Sequence, residues 1–243
     1  MCGIILPVTI LWLSLHHIHA RKLYTSKDID VIVLAQEWPV AVCLLYKHEI
    51  YPGGRCHLPE QKNQWIVHGI WPRKLEGKYL EFCDDKWHLN PRNVEPIESE
   101  LNKAQMVVYK EDKPYVFWSH EWLRHGTCAA LFEPLNTQLK YFTKSIEWNQ
   151  KYAIGDMLEA ANIFPNDREY LDPQKIADAV KAKTGKDPMV GCYKIEGVSY
   201  LQEVRICMDK QFNVMDCKVP VIDDWCLSPK GVIYAASEWA LYC

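Results

Sequence analysis

Apolar and polar positions alternate near both ends of the chain and recur at helical spacing in its middle. Residues 31–35 form an apolar, β-branched run typical of a buried strand, which should end before Trp38-Pro39 because proline cannot donate to a central ladder. Residues 65–71 predict a second strand. Strict alternation would divide its side chains between two faces, with Ile66, His68 and Ile70 on one face and Trp65, Val67 and Trp71 on the other.

Helical periodicity marks the central part of the chain. Outside residues 117–128, four helices are predicted, at residues 40–46, 95–105, 137–152 and 173–185. The third has Leu139, Phe142 and Ile146 on its apolar side. For the fourth, Asp172 is a suitable cap and Gly185 a suitable stop.

Short β-type runs return after Gly185 and indicate the fold class. They cover residues 188–195, 198–208, 212–219 and 231–235. The second and third predict a hairpin whose turn is flanked by Cys207 and Cys217, close enough to be joined. Helices between terminal strands predict an α+β fold, a single domain with a central antiparallel sheet packed by helices and stapled by disulfides. A chain of 243 residues can bury one such core.

The N-terminus has the pattern of a signal peptide. Residues 3–15 are apolar and uncharged, too short to span a bilayer, and the first charges stand at Arg21 and Lys22. We therefore predict a signal peptide at residues 1–20 and a secreted domain at 21–243. The alternative is a buried N-terminal helix. No later segment is apolar enough to predict a membrane span.

Cysteine usage agrees with secretion. Nine of the ten cysteines lie beyond the predicted signal peptide, and no two of them form a Cys-x-x-Cys pair. Disulfides therefore fit better than zinc. Because nine is odd, one thiol is left over, and Cys243 at the C-terminus is the expected spare. We predict a monomer in which Cys243 is available for an intermolecular bridge.

The charge balance does not indicate a strongly basic nucleic-acid-binding surface at neutral pH. The formal net charge is −3, and the predicted signal peptide carries no charged residue. Six histidines remain beyond it, and protonating all of them would bring the charge to +3. The chain is therefore expected to become cationic in an acidic compartment.

Residues 117–128 hold the densest set of reactive side chains. Ser119 is a good N-cap, and a helix beginning there would place Glu121 and His125 side by side on one face. His120 and Arg124 would form a second such pair. Glu121 could then orient the ring of His125 and favour its charged form. An ordinary helix salt bridge is the structural alternative.

A zinc protease helix is the weaker interpretation of this segment. That motif needs two histidines four residues apart, whereas His120 and His125 are five apart and diverge by roughly 140° around a helix. We expect no metal and no cofactor. His68 alone, on an apolar strand, would be taken for a core residue.

Two segments together carry a resemblance to a known family. Residues 68–72, His-Gly-Ile-Trp-Pro, and residues 120–128, His-Glu-Trp-Leu-Arg-His-Gly-Thr-Cys, resemble the two signature segments of the ribonuclease T2 family. The resemblance extends to Gln36-Glu37-Trp38-Pro39 and the cysteines, and covers most of residues 31–226. It implies a secreted or lysosomal endoribonuclease that cleaves single-stranded RNA without a metal, through a 2′,3′-cyclic phosphate.

The resemblance also implies roles for individual residues. His125 would be the general base, His68 the general acid, Glu121 and Arg124 the groups that stabilise the transition state, His120 a phosphate ligand, and Trp71 and Phe117 the base-binding residues. Stacking on aromatic rings accepts any base, which implies loose base specificity. For Trp71, a place in the core is an equal alternative.

Two positions depart from the family pattern. Arg124 stands where the family usually has lysine, and Arg73 stands where an acidic residue often follows the Trp-Pro pair. Arg73 therefore puts an inherited base preference in question. N-glycans are not expected, because the chain contains no Asn-x-Ser/Thr acceptor.

The family's disulfides would map onto eight cysteines. The implied pairs are Cys43 with Cys56, Cys83 with Cys128, Cys192 with Cys226, and Cys207 with Cys217. The second would hold the loop after His68 against the end of the catalytic helix. A secreted effector or binding protein on the same fold, with RNA cleavage secondary, is the alternative function, and a metalloenzyme is a remote third.

Overall fold

The structure is a computed structural model that describes residues 24–61, 63–75, 79–109, 113–218 and 220–236. The predicted signal peptide at residues 1–20 and the spare thiol of Cys243 lie outside them. In the part of the chain that is described, no helix is long and apolar enough to cross a membrane.

One sheet contains all seven strands of the described residues. They are β1 (Val31–Glu37), β2 (Ile66–Arg73), β3 (Tyr170–Leu171), β4 (Met189–Ile195), β5 (Val198–Met208), β6 (Val214–Met215) and β7 (Val232–Ile233). The long strand β5 is central. It pairs antiparallel with β1, β4 and β6 and parallel with β7, while β2 pairs with β1 and β3 with β7.

Helices pack against this sheet. The α-helices are α1 (Pro39–Leu45), α2 (Glu98–Ala104), α3 (Pro114–Glu121), α4 (Thr127–Ala129), α5 (Gln138–Lys151), α6 (Ile154–Ala160) and α7 (Pro173–Thr184). Segments of π-helix cover Tyr46–Ile50 and Trp122–Gly126. The predicted single α+β domain, with a largely antiparallel sheet, is confirmed. Helix α6 was not predicted.

The predicted boundaries of the long helices agree closely with the structure. Thr137 caps α5 by accepting from Lys140 N, and Asp172 caps α7, which ends at Gly185 with φ of 73°. The predicted inner face of α5 is wrong at Leu139, which is 39% exposed. Tyr141 is fully buried instead. Its hydroxyl donates to the Ile70 carbonyl, so the phenol finds a polar partner inside the core.

The sheet has apolar contacts on both faces. On β1, Ile32 and Leu34 join the main core under the helices, which contains the fully buried rings of Trp118 and Trp122. The alternate residues of β1 join Trp71 in a smaller cluster on the opposite face. Burial on both faces explains why this strand is an unbroken apolar run.

The predicted hairpin at the end of the chain is present but short. Its second strand is the two-residue β6, because residues 212–218, the described part of the predicted run, pair with β5 only at Val214 and Met215. The larger hairpin joins β4 and β5, and sequence analysis did not identify it. Its turn is Glu196-Gly197, with φ of 49° and 85°, the left-handed conformation that two-residue hairpin turns require.

All four expected disulfides are present. They join Cys43 to Cys56, Cys83 to Cys128, Cys192 to Cys226, and Cys207 to Cys217. The last closes the short β5–β6 hairpin. The Cys83–Cys128 bond fixes the loop after β2 to the end of the helical segment that carries most of the candidate catalytic residues.

Candidate active site

A β-bulge on β2 presents His68. Gln36 pairs with Val67 and Ala35 pairs with Gly69, so His68 is the extra residue between two consecutive partners on β1. The bulge shifts the alternation of side chains by one position from there onward. The predicted division of faces is therefore wrong: Val67 and Ile70 share the main core, and the rings of His68 and Trp71 come within 4.8 Å of each other, centroid to centroid.

Three carboxylates surround the His68 ring. Its Nδ1 lies 2.8 Å from Glu203 Oε2 and 3.5 Å from Glu37 Oε2, and its Nε2 lies 4.0 Å from Glu121 Oε1. Burial alone would lower the pKa of His68, but the negative charges outweigh it and raise that pKa to about 10. His68 is therefore an imidazolium at any acidic or neutral pH.

Glu121 lies beneath this ring and is 1% exposed. Its Oε2 accepts from Trp71 Nε1 at 2.9 Å. Burial raises the pKa of Glu121 to about 7, against the opposing effects of His68 and the Trp71 hydrogen bond. Gly69 allows this approach, because a Cβ there would lie 2.1 Å from Glu121 Oε2 and 2.3 Å from Trp71 Nε1.

The segment carrying Glu121 and His125 differs from its predicted form. The helix begins at Pro114, not at Ser119, because proline suits a first turn whose N–H groups have no partner. After Glu121 the backbone widens into π-helix. The expected pairing of Glu121 with His125 is wrong, since Glu121 faces Trp71 and His68. Nδ1 of His125 has no hydrogen-bond partner among the described residues.

His125 is 6% exposed and neutral. Burial lowers its pKa to about 3, assisted by the charges of Arg124, His68 and His120. Its ring centroid lies 5.4 Å from that of Trp71. The indole thus lies beside two histidines whose pKa values are displaced in opposite directions.

The remaining cationic residues lie at the mouth of the site. His120 is exposed, and its pKa is lowered by partial burial and by Arg124. Arg124 is held by Glu81, with Nε and one terminal nitrogen 2.9 and 2.7 Å from Oε1. The guanidinium that replaces the usual lysine therefore has a carboxylate partner that sequence analysis did not identify.

Among the described residues, two cavities are lined by side chains of this site. Phe117 lines the first, of about 150 Å³, together with His68 and Glu37. The second, of about 380 Å³, is lined by Arg73, Tyr79, Arg205 and Trp225. Arg73 is 3% exposed and donates to the Cys217 carbonyl, so it also serves to hold the β5–β6 hairpin.

Trp71 itself is 6% exposed. The Arg205 guanidinium carbon lies 5.4 Å from its ring centroid, so the indole is packed on several sides. The core role considered for Trp71 is therefore present in the structure, and base binding by this residue stays a prediction.

The family model for the ribonuclease T2 family matches residues 29–217, which contain every side chain of this site except the cavity residue Trp225. The chain belongs to the ribonuclease T2 family. It is 33% identical over 195 residues to ribonuclease Oy of Magallana gigas, covering 79% of this chain and 88% of that protein. It is 28% identical to ribonuclease T2 of Homo sapiens over 222 residues, 89% of this chain and 80% of that protein.

Solved structures of several ribonucleases share the fold. A variant of RNase MC1 in complex with 5′-UMP superposes with a TM-score of 0.70 at 28% identity, covering 85% of this chain and 99% of that one. Human RNase T2 gives 0.68 at 25% identity, covering 85% and 98%. RNase NT in complex with 5′-AMP gives 0.69 at 25% identity, covering 86% and 98%.

The β5 side of this ribonuclease T2 site was not predicted from the sequence. Glu203 and Arg205 stand two apart in a run that otherwise predicts a buried strand, and residues two apart on a strand share a face. A buried charge needs a partner, which was the available signal. That signal could not identify the partner as His68, which is 135 residues away.

Glu37, His68 and Glu203 also present three potential metal-ligand atoms within 4.8 Å of one another. A metal ligand must offer a lone pair, but the imidazolium of His68 donates from Nδ1 to Glu203. The geometry therefore fits an ion-pair cluster better than a metal centre. Metal-independent activity stays a prediction.

Proposed function

We propose that this ribonuclease T2 family enzyme cleaves single-stranded RNA by transphosphorylation, with His125 as general base and His68 as general acid. One observation carries the proposal. The rings of His125 and His68 both lie beside Trp71, 5.4 and 4.8 Å from its ring centroid, the first with a pKa of about 3 and the second with a pKa of about 10. Between these values the first ring can accept a proton while the second can donate one.

The proton transfers balance without a metal. Neutral His125 takes the proton of the 2′-hydroxyl, whose oxygen then attacks the adjacent phosphorus. The bond from phosphorus to the 5′-oxygen breaks, and His68 gives its Nε2 proton to that oxygen. The products are a 2′,3′-cyclic phosphate and a free 5′-hydroxyl, with one proton moved from one histidine to the other.

Glu121 fits the role of a neutral hydrogen-bond donor to the phosphorane. Below its pKa of about 7 it is a carboxylic acid, which can donate to a non-bridging oxygen without repelling it. His120 and the Arg124 guanidinium would attract the phosphate at the mouth of the site. The Glu81 partner would orient Arg124 while lowering the net positive charge it offers.

The two cavities, the first lined by His68 and the second by Tyr79 and Arg205, suit the two bases that flank the scissile bond. Phe117 lies in one, and Tyr79 and Trp225 lie in the other. Aromatic walls favour stacking, which supports loose base specificity.

The test is digestion of a synthetic single-stranded RNA in EDTA between about pH 4 and about pH 8, with mass spectrometry of the fragments. We expect fragments ending in 2′,3′-cyclic phosphate at many different bases, and none with the His125→Ala variant. RNA left intact by the wild-type protein across this range would overturn the proposal.

We further propose that the protein works as a monomer in an oxidising compartment, either outside the cell or in the lysosomal lumen. The four disulfides support such a compartment. Non-reducing electrophoresis of protein secreted from a eukaryotic host should show monomer. A disulfide-linked dimer that disappears in Cys243→Ser would instead show that Cys243 bridges two chains.

A further inference from the structure

Two glutamates from neighbouring strands face the same nitrogen of His68. Glu37 on β1 and Glu203 on β5 are register partners across the sheet, and both lie over the bulge that presents His68. Glu203 Oε2 is at hydrogen-bond distance from Nδ1, 2.8 Å, whereas Glu37 Oε2 lies at 3.5 Å. Glu203 is therefore the carboxylate that receives the Nδ1 proton.

Arg205 fixes Glu203. Its Nε donates to Glu203 Oε1, the oxygen that does not face His68. The same guanidinium donates to the Tyr79 hydroxyl at 3.2 Å and lies over the Trp71 ring. Glu203 thus has both oxygens engaged by cationic donors, in a buried position where such bonds are strong.

The two glutamates differ in charge. Burial would raise the pKa of Glu203, but Arg205 and His68 hold it below the usual value. Burial raises the pKa of Glu37, and His68 offsets this effect in part. In an acidic compartment Glu203 is therefore the anion beside His68, and Glu37 takes up a proton more readily.

We propose that Glu203, held by Arg205, is a positioning residue that orients His68 with its Nε2 proton toward the departing 5′-oxygen. This inference rests on the proposed function, in which His68 is the general acid. A carboxylate on Nδ1 fixes both the orientation of the ring and the nitrogen that remains free to donate. Glu203 touches neither substrate nor the reacting atoms.

Other groups around His68 set the background for this pair. Glu121 faces Nε2 from α3, and Phe117 lies beside the ring at 6.1 Å between centroids. His120 and His125 lie close enough to His68 that its positive charge lowers the pKa of each. None of these groups receives the Nδ1 proton.

Glutamine cannot replace Glu203. The two positions occupied by the carboxylate oxygens face two donors, Nδ1–H of His68 and Nε–H of Arg205. An amide offers one acceptor and one NH₂ group, so either orientation sets a donor against a donor. The ring of His68 should then lose its fixed orientation although the shape of the site is kept.

The test compares two substrates with different leaving groups. RNA expels a poor leaving group and needs the acid, whereas uridine 3′-(p-nitrophenyl phosphate) expels a phenolate that does not. We expect Glu203→Gln to lower kcat on RNA by roughly 10- to 100-fold, a part of the roughly 10²–10⁴ that general acid catalysis contributes, with KM little changed. On the aryl ester its kcat should stay within about 3-fold of wild type.

Titration of the His68 ring by NMR gives an independent readout. Because the carboxylates of Glu37 and Glu203 both raise the pKa of His68, that pKa should fall in Glu203→Gln. Glu37→Gln is the matched control, since it removes a register partner at 3.5 Å from the same nitrogen. Its kcat on RNA should fall several-fold less than that of Glu203→Gln.

The double variant Glu203→Gln with Arg205→Gln is the control for misfolding, because it leaves no uncompensated buried guanidinium. It should show the same selective loss on RNA. Equal losses on both substrates, or no loss on RNA, would overturn the role of Glu203. A wild-type protein that cleaves neither substrate would overturn the proposed function itself, so the two failures are distinguishable.

Discussion

The chemistry of single side chains here depends on burial and on a few charges. His68 and His125 are the same residue type, yet the first is ringed by carboxylates and the second is buried beside cationic neighbours. The signature segments identify both residues. Their opposite pKa shifts cannot be inferred from sequence, because that of His68 depends on Glu37 and Glu203, which lie on other strands, and that of His125 depends chiefly on its burial.

The rate of RNA cleavage should depend on the protonation states of His125 and Glu121. His125 is a base only above its pKa of about 3, and Glu121 is a neutral donor only below its pKa of about 7. The rate on RNA should therefore be high in the acidic range and fall as pH rises through about 7. Glu121→Gln keeps a neutral donor at every pH, so its profile of kcat against pH should lack this alkaline fall. An unchanged fall would show that another group controls it.

Gly69 should tolerate no side chain. An added Cβ meets both partners of the Trp71–Glu121 hydrogen bond, and overpacking of this kind costs about 1–3 kcal/mol. Gly69→Ala should lower the free energy of unfolding in urea by this amount and also lower kcat. Gly191→Ala is the control, because its Cβ would make ordinary contacts at 3.5 Å or more. Equal stability of the two variants would contradict the steric account.

At the level of elements, regular segments follow from sequence and irregular ones do not. Capping residues fix the ends of α5 and α7, and both helices were predicted to within two residues. The bulge at His68 and the π-helical segment at Trp122–Gly126 break the periodicities on which such prediction relies. Both lie in the active site, and the wrong pairing of Glu121 with His125 came from assuming regular geometry there.

The Cys83–Cys128 disulfide should support these irregular elements. The loop it anchors donates Phe82 N–H to the Arg124 carbonyl and places the Leu80 backbone against His125. Replacing both cysteines by serine should cost roughly 2–5 kcal/mol of stability and lower kcat. The same change at Cys207 and Cys217 should cost about 1 kcal/mol less, because that bond joins residues 10 apart rather than 45. Thermal melts and kcat values would measure both, and a reversed order would contradict the account.

For the whole molecule, chain length predicts a single domain, the order of predicted helices and strands predicts the α+β class, and cysteine usage predicts disulfides. The pairing of the cysteines came from the family resemblance, since spacing alone leaves many connectivities open. The expected gain of positive charge at acidic pH was overestimated. Among the six histidines counted, His125 stays neutral down to about pH 3 and the pKa of His120 is also lowered.

The central claim is that His125 acts as the base and His68 as the acid. The most direct measurement is kcat of His68→Ala and His125→Ala on RNA and on uridine 3′-(p-nitrophenyl phosphate). We predict that His68→Ala loses roughly 10²–10⁴-fold on RNA but much less on the aryl ester, whereas His125→Ala loses activity on both. The opposite pattern, with His125→Ala spared on the aryl ester and His68→Ala inactive on both, would contradict the assignment.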